Sequence, residues 1–195
     1  MKINLLIHVN NKQKLLINKL GKDIKNRRIQ EQLISEKIVQ KHIKRGIKIN
    51  RNINGKPFIE EYFRGFRSVS ISHNSKFVGV MISNKKKCGF DIEKISDRIE
   101  QVKSKFCSEI ELLKFQGLRN LTLIWTFKEA IYKYYSDEKL NFKNEILILS
   151  INNVGKAESK VFFKSGKQKK ITLGFRIIDD TVISYVKNEY PTRNI

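Results

Sequence analysis

The sequence predicts an α+β fold and permits two similar α/β halves in one chain. Two observations carry this reading. Strand-like apolar runs and helix-like periodic runs interleave up to Tyr135, whereas the chain from Ile146 onward reads as strands joined by tight turns. Helix and strands also occur in a comparable mix on each side of Lys85-Lys86-Lys87, dividing the chain into an N-terminal half over 1–87 and a C-terminal half over 88–195. Interleaved elements that end in hairpin-like strands favour α+β over a doubly wound parallel sheet.

Taken in order, Ile3 to Val9 reads as a short strand. Ile29, Leu33, Ile34, Ile38, Val39 and Ile43 recur at helical spacing, with Gly46 as a stop. A turn at Asn54-Gly55-Lys56-Pro57 leads to strand-like runs at Val69 to Ser72 and Phe77 to Ser83. Cys88 to Ile95 forms another strand. Ser96 and Asp97 can cap a helix through Phe106, and Ser108 can cap a second one ending near Gly117. A longer helix covers about Leu121 to Tyr135. Strands at Ile146 to Ile151, Lys160 to Phe163, Ile171 to Ile177 and Val182 to Val186 follow, joined by turns at Gly155, Gly166 and Asp179-Asp180.

The chain has 195 residues and ample apolar content for a core, but 40 Lys and Arg against 19 Asp and Glu give a formal net charge of +21. Such a surface attracts polyanions: nucleic acid, anionic membrane, phosphorylated cofactors or an acidic protein. The lysines are spread through the whole chain, so a compositional habit accounts for the excess about as well. Cys88 and Cys107 have no metal-type spacing and fit a reducing compartment. No run approaches the roughly 18 apolar residues that span a bilayer, and the start is too short and interrupted for a signal peptide, so the expected location is cytoplasmic.

Two segments bear the chemistry: Gly89-Phe90-Asp91-Ile92-Glu93 and Trp125-Thr126-Phe127-Lys128-Glu129-Ala130-Ile131-Tyr132-Lys133. In a strand, Asp91 and Glu93 share one face while Phe90 and Ile92 share the other. In a helix, Trp125, Glu129 and Lys133 lie along one side. Three carboxylates and a lysine can then converge on a divalent cation and an anionic phosphate. Plainer readings stand beside this. Asp91 and Glu93 alone describe the solvated face of an edge strand, and Glu129 with Lys133 an ordinary pair one turn apart. For Lys128, solvent exposure and a role in the site are both open, and Trp125 reads as a packing anchor.

Five motifs in order carry a resemblance: Gly55-Lys56-Pro57-Phe58, Ser70-Ile71-Ser72-His73-Asn74, Gly89 to Glu93, Phe106-Cys107-Ser108-Glu109-Ile110-Glu111, and Trp125 to Lys133. Together they resemble the 4′-phosphopantetheinyl transferase superfamily, in its single-chain, surfactin-synthetase type. The resemblance implies two similar α/β halves with the active site between them. It also implies a reaction that moves the phosphopantetheine arm of coenzyme A to a serine of an acyl or peptidyl carrier protein and releases adenosine 3′,5′-bisphosphate. Mg²⁺, with Mn²⁺ as an alternative, is the implied metal. Asp91, Glu93 and Glu129 occupy the family's metal positions, with Glu129 a ligand or the general base. Lys133 matches the residue that binds the pyrophosphate, and Lys56 and His73 match cofactor contacts. Glu111 matches a recurrent glutamate near the metal, as a second base candidate or a helix-face residue. Glu31 stands near where the family carries an Arg. Two halves in one chain imply that a monomer suffices. A basic nucleic-acid-binding protein, suggested by the net charge and by lysines interleaved with aromatics, is the reading from a different class. A family member that binds coenzyme A or carrier without turnover is a third.

Overall fold

The structure, a computed structural model, describes residues 5–10, 13–19, 27–42, 48–53, 55–59 and 66–191. The chain divides into two compact units, Met1–Cys88 and Gly89–Ile195. The expected helix stop at Gly46 and the turn residue Asn54 lie outside the described residues, as do Ile3 and Ile43.

The first unit holds β1 (Leu5–Asn10), β2 (Gln13–Lys19), α1 (Arg27–His42), β3 (Asn50–Arg51), β4 (Pro57–Phe58), β5 (Ser68–His73) and β6 (Phe77–Ser83). Its main sheet runs β1-β2-β6-β5 with all pairings antiparallel, and β3 with β4 forms a small hairpin. The strand β2 is central, with Leu15, Leu16 and Ile17 buried, and was not among the elements expected from sequence. Helix α1 covers the sheet through Ile34, Ile38 and Val39, which pack with Leu16, Val69, Val80 and Ile82. Leu33, expected on the buried face, is 48% exposed. It neighbours Ile34 in sequence, and a helix turns about 100° per residue, so the two point apart.

The second unit holds β7 (Phe90–Lys94), α2 (Arg98–Phe106), α3 (Glu109–Lys114), α4 (Leu118–Tyr134), α5 (Phe142–Glu145), β8 (Ile146–Ile151), β9 (Lys156–Phe162), β10 (Gln168–Ile178) and β11 (Thr181–Pro191). Its sheet runs β7-β11-β10-β9-β8, all antiparallel, so β7 is an edge strand. Helix α4 packs on β7, β11 and β8, burying Leu121, Ile124, Phe127, Ala130 and Ile131 against Leu173, Phe175 and Val182 of the sheet. Ser108 caps α3 as expected, and Glu111 completes a capping box with it. Asp97 stands at the start of α2 but makes no side-chain cap, because its backbone is already helical.

No helix among the described residues is long and apolar enough to cross a membrane. Cys88 and Cys107 are both free and buried. Burial pushes each thiol up to about 12, so almost no thiolate exists near neutrality. In the native protein neither thiol should be alkylated by iodoacetamide within an hour at pH 8, whereas both should react in denaturant. Peptide mass spectrometry would read this, and rapid native labelling of either would contradict the packing described.

Candidate active site

Asp91, Glu93 and Glu129 gather where β7 meets α4. Gly89 makes the approach possible. A Cβ there would fall on the Ala130 carbonyl oxygen and 2.7 Å from the Tyr134 nitrogen, so the strand enters flush against the helix backbone. From that entry Phe90 and Ile92 go into the core, while Asp91 turns toward α4. Asp91 is only 3% exposed, which removes the solvated-edge reading for it. Its Oδ1 accepts a hydrogen bond from the Lys133 ammonium at 2.7 Å. Lys133 therefore reaches across to the strand rather than pairing one turn back with Glu129.

Two residues on, Glu93 is half-buried, and its Oε1 accepts a bond from the indole Nε1–H of Trp125 at 3.2 Å. Burial first, and the neighbouring Asp91 second, raise its pKa, against the pull of Trp125, Lys133 and Arg98. Glu129 rises further, to about 7: burial dominates, Asp91 and Glu93 add to it, and Lys133 only partly offsets them. Three acids thus sense one another's charge across the boundary between strand and helix. Among the described residues no three acidic, histidine or cysteine side chains are drawn into a finished cation cage. Asp91 leans on Lys133 instead, and the three like charges repel one another. The donor set nevertheless fits a hard divalent ion. It is all carboxylate oxygen, it carries surplus negative charge that a cation would relieve, and such ions commonly take a few carboxylates and complete their shell with phosphate and water.

The raised pKa of Glu129 yields a stability prediction. A carboxylate whose folded pKa, about 7, lies above its ordinary value of 4.5 favours the neutral form, so the folded state holds its proton more tightly than the unfolded one. Its stabilising contribution is present below 4.5 and is lost as pH rises toward 7. Glu129→Gln, neutral at every pH, should therefore stabilise the cation-free protein at pH 8 by up to about 3 kcal/mol and raise its melting temperature there, with little change at pH 4. Thermal unfolding across that range checks it, and a gain confined to low pH would contradict it.

Glu111 and Lys128 belong elsewhere. Glu111 is fully buried, and both of its oxygens are engaged. Oε2 accepts bonds from Ser108 N at 2.8 Å, Ser108 Oγ at 3.1 Å and the Lys128 ammonium at 2.7 Å, while Oε1 accepts from Ile148 N at 2.8 Å. A carboxylate so occupied has no lone pair facing a substrate, which removes Glu111 as a base candidate. Lys128 is neither exposed nor part of the acid cluster. It is fully buried and also donates to the carbonyls of Phe106 and Phe142, each at 2.8 Å. The sequence signal for Glu111 was the Ser-x-x-Glu spacing of a capping box at Ser108. Nothing local marks Lys128, whose partner lies in another helix.

In the first unit, Lys56 sits at the β3–β4 turn. Its backbone N–H donates to Asn52 Oδ1 at 2.9 Å, and Gly55 there adopts a φ of 78°. His73 ends β5, with Nδ1 3.0 Å from Glu31 Oε1 on α1. A polar cavity of about 460 Å³ lies beside them, lined by Glu31, Gln32, Asn50, Arg51 and His73. Glu31 thus partners His73.

An antiparallel sheet packed on a long helix, with acid and ammonium groups meeting at their boundary, defines a mixed α/β protein. A sequence profile described as the 4′-phosphopantetheinyl transferase superfamily matches residues 87–186, just over half of the 195 residues. The chain belongs to that superfamily, and membership supports a transferase. Among individually curated proteins, none matches the chain.

Proposed function

We propose that the protein is a holo-carrier-protein synthase of the single-chain, surfactin-synthetase type, acting in the cytoplasm. It transfers the 4′-phosphopantetheine arm of coenzyme A to a serine of an acidic apo-carrier protein. The observation that carries this reading is the coincidence of the superfamily match over residues 87–186 with the Asp91, Glu93, Glu129 and Lys133 cluster.

Asp91, Glu93 and Glu129 would hold Mg²⁺ or Mn²⁺, which supplies charge neutralisation at the pyrophosphate when bound. The Lys133 ammonium, which bonds Asp91 at 2.7 Å, would bind the pyrophosphate. The serine oxygen forms a bond to the phosphorus of the pantetheine phosphate. The bridging P–O bond breaks, and its electron pair leaves on adenosine 3′,5′-bisphosphate. The serine proton goes to Glu129, whose pKa near 7 suits a base at neutral pH, or to water when Glu129 ligates the cation. By resemblance, His73 would contact a phosphate of coenzyme A and Lys56 would bind the cofactor.

Incubation with coenzyme A, Mg²⁺ and a panel of apo-carriers, read by intact mass, tests the reading. Addition of the arm to at least one carrier, dependent on the cation, is the expected result. Bound coenzyme A without addition to any carrier would favour a non-catalytic member.

A further inference from the structure

We propose that Trp125 is a positioning residue for the Glu93 carboxylate, and that the buried Lys128–Glu111 pair holds the aromatic cage that fixes the indole. The proposal rests on the functional reading above only in taking Glu93 as a cation ligand.

The geometry runs in one connected chain. Glu93 lies near the end of the edge strand β7, where a carboxylate on a two-carbon stem has rotamer freedom to lose. The Trp125 Nε1–H, an obligate donor, takes one of its oxygens at 3.2 Å and leaves the other free to ligate. The indole itself is held between Phe106, at a centroid distance of 5.1 Å and an angle of 72°, and Phe142, at 5.4 Å and 51°. Those two rings come from different segments, the end of α2 and the start of α5. What joins them to α4 is the Lys128 ammonium, which bonds the Phe106 and Phe142 carbonyls and Glu111 together. Lys128 lies three residues after Trp125 on the same helix, so one helix supplies both the clamp and the residue it clamps. A groove of about 640 Å³ with an apolar floor opens beside the cage, and Glu93, Trp125, Phe106 and Phe142 all line it. Trp125 and Phe142 are half-buried where they border this groove, while Phe106 behind them is buried in the core, so the open side of the cage depends on a tie to keep its form. A donor that orients a carboxylate ligand from outside typically changes metal affinity on the order of tenfold or more when removed.

Cation binding is read directly, without turnover, as loss of the free Mn²⁺ signal in electron paramagnetic resonance, on the full chain with and without coenzyme A. Trp125→Phe, which keeps a ring and removes the donor, should weaken Mn²⁺ binding by about tenfold while circular dichroism stays unchanged. Glu93→Gln should weaken it too, and the double variant should be no weaker than Glu93→Gln alone, because the indole would then have no ligand to orient. For the cage, Lys128→Met should shift the emission of the chain's single tryptophan to the red and raise its quenching by acrylamide. Phe142→Leu, which trims the cage without uncovering a buried charge, should do the same should Lys128→Met fail to fold. Wild-type affinity in Trp125→Phe, or an effect that adds in full to that of Glu93→Gln, would overturn the positioning role. Unchanged emission in Phe142→Leu would overturn the cage. Absence of Mn²⁺ binding by the wild type under both conditions would sink the cation reading itself, which is a different result from any of these.

Discussion

Asp91→Ala should reduce transfer of the phosphopantetheine arm by about a hundredfold or more, with the fold intact. A cation that neutralises pyrophosphate is worth several kcal/mol in the transition state, and each tenfold in rate corresponds to about 1.4 kcal/mol. Asp91 is the most buried of the three acids in the cluster and the one bonded to Lys133, so its loss removes a ligand and releases the ammonium at once. Its neighbours divide the remaining work. Glu129→Gln should raise the Mg²⁺ needed for half-maximal rate if Glu129 is a ligand. It should lower the rate at unchanged metal demand if Glu129 is the base. Lys133→Ala should chiefly impair use of coenzyme A, since its target is phosphate. Turnover measured against Mg²⁺ and coenzyme A separates these outcomes, and near-wild-type turnover in Asp91→Ala would remove the site.

A second large effect is expected at Gly89. Gly89→Ala should cost about 3 kcal/mol or more, lowering the melting temperature by roughly 6–12 °C. The added carbon would meet the Ala130 carbonyl oxygen and the Tyr134 nitrogen. Both are backbone atoms of α4, which cannot rotate aside as a side chain can. Gly174→Ala is the comparison: its new carbon would meet the Tyr185 ring, the far part of a side chain, and the cost should be smaller. Because Gly89 sets the distance between β7 and α4, whatever folded fraction survives should also bind cation poorly. Equal melting temperatures for Gly89→Ala and wild type would show that the strand and helix can separate without cost.

The strands and helices around the site were legible because their patterns are strong and local. Asp91 and Glu93 alternate with Phe90 and Ile92, and Leu121, Ile124, Phe127 and Ile131 repeat at helical spacing. The bounds of β6 and β8 match the apolar runs read from sequence. The strand β2 escaped because its apolar run, Leu15 to Ile17, is short and flanked by lysines and asparagines, although Asn10-Asn11 before it was a usable turn signal. What periodicity could not show was pairing at a distance. The bond from Trp125 to Glu93 spans 32 residues, and the tie from Lys128 to Glu111 spans 17. A lysine on a helix reads as solvent-facing until the carbonyls that surround it are known. Burial lowers the pKa of Lys128 and Glu111 opposes that fall, an arrangement no single segment encodes.

The shared use of Glu111 carries a consequence for cooperativity. One carboxylate caps the first turn of α3, neutralises Lys128 in α4 and accepts the Ile148 N–H of β8, 37 residues away. None of these three elements can loosen alone without stranding a buried charge or an unpaired amide, so opening one opens all. The wall behind the acid cluster therefore does not fray from its ends as short helices ordinarily do. It should open only when α3, α4 and β8 let go together.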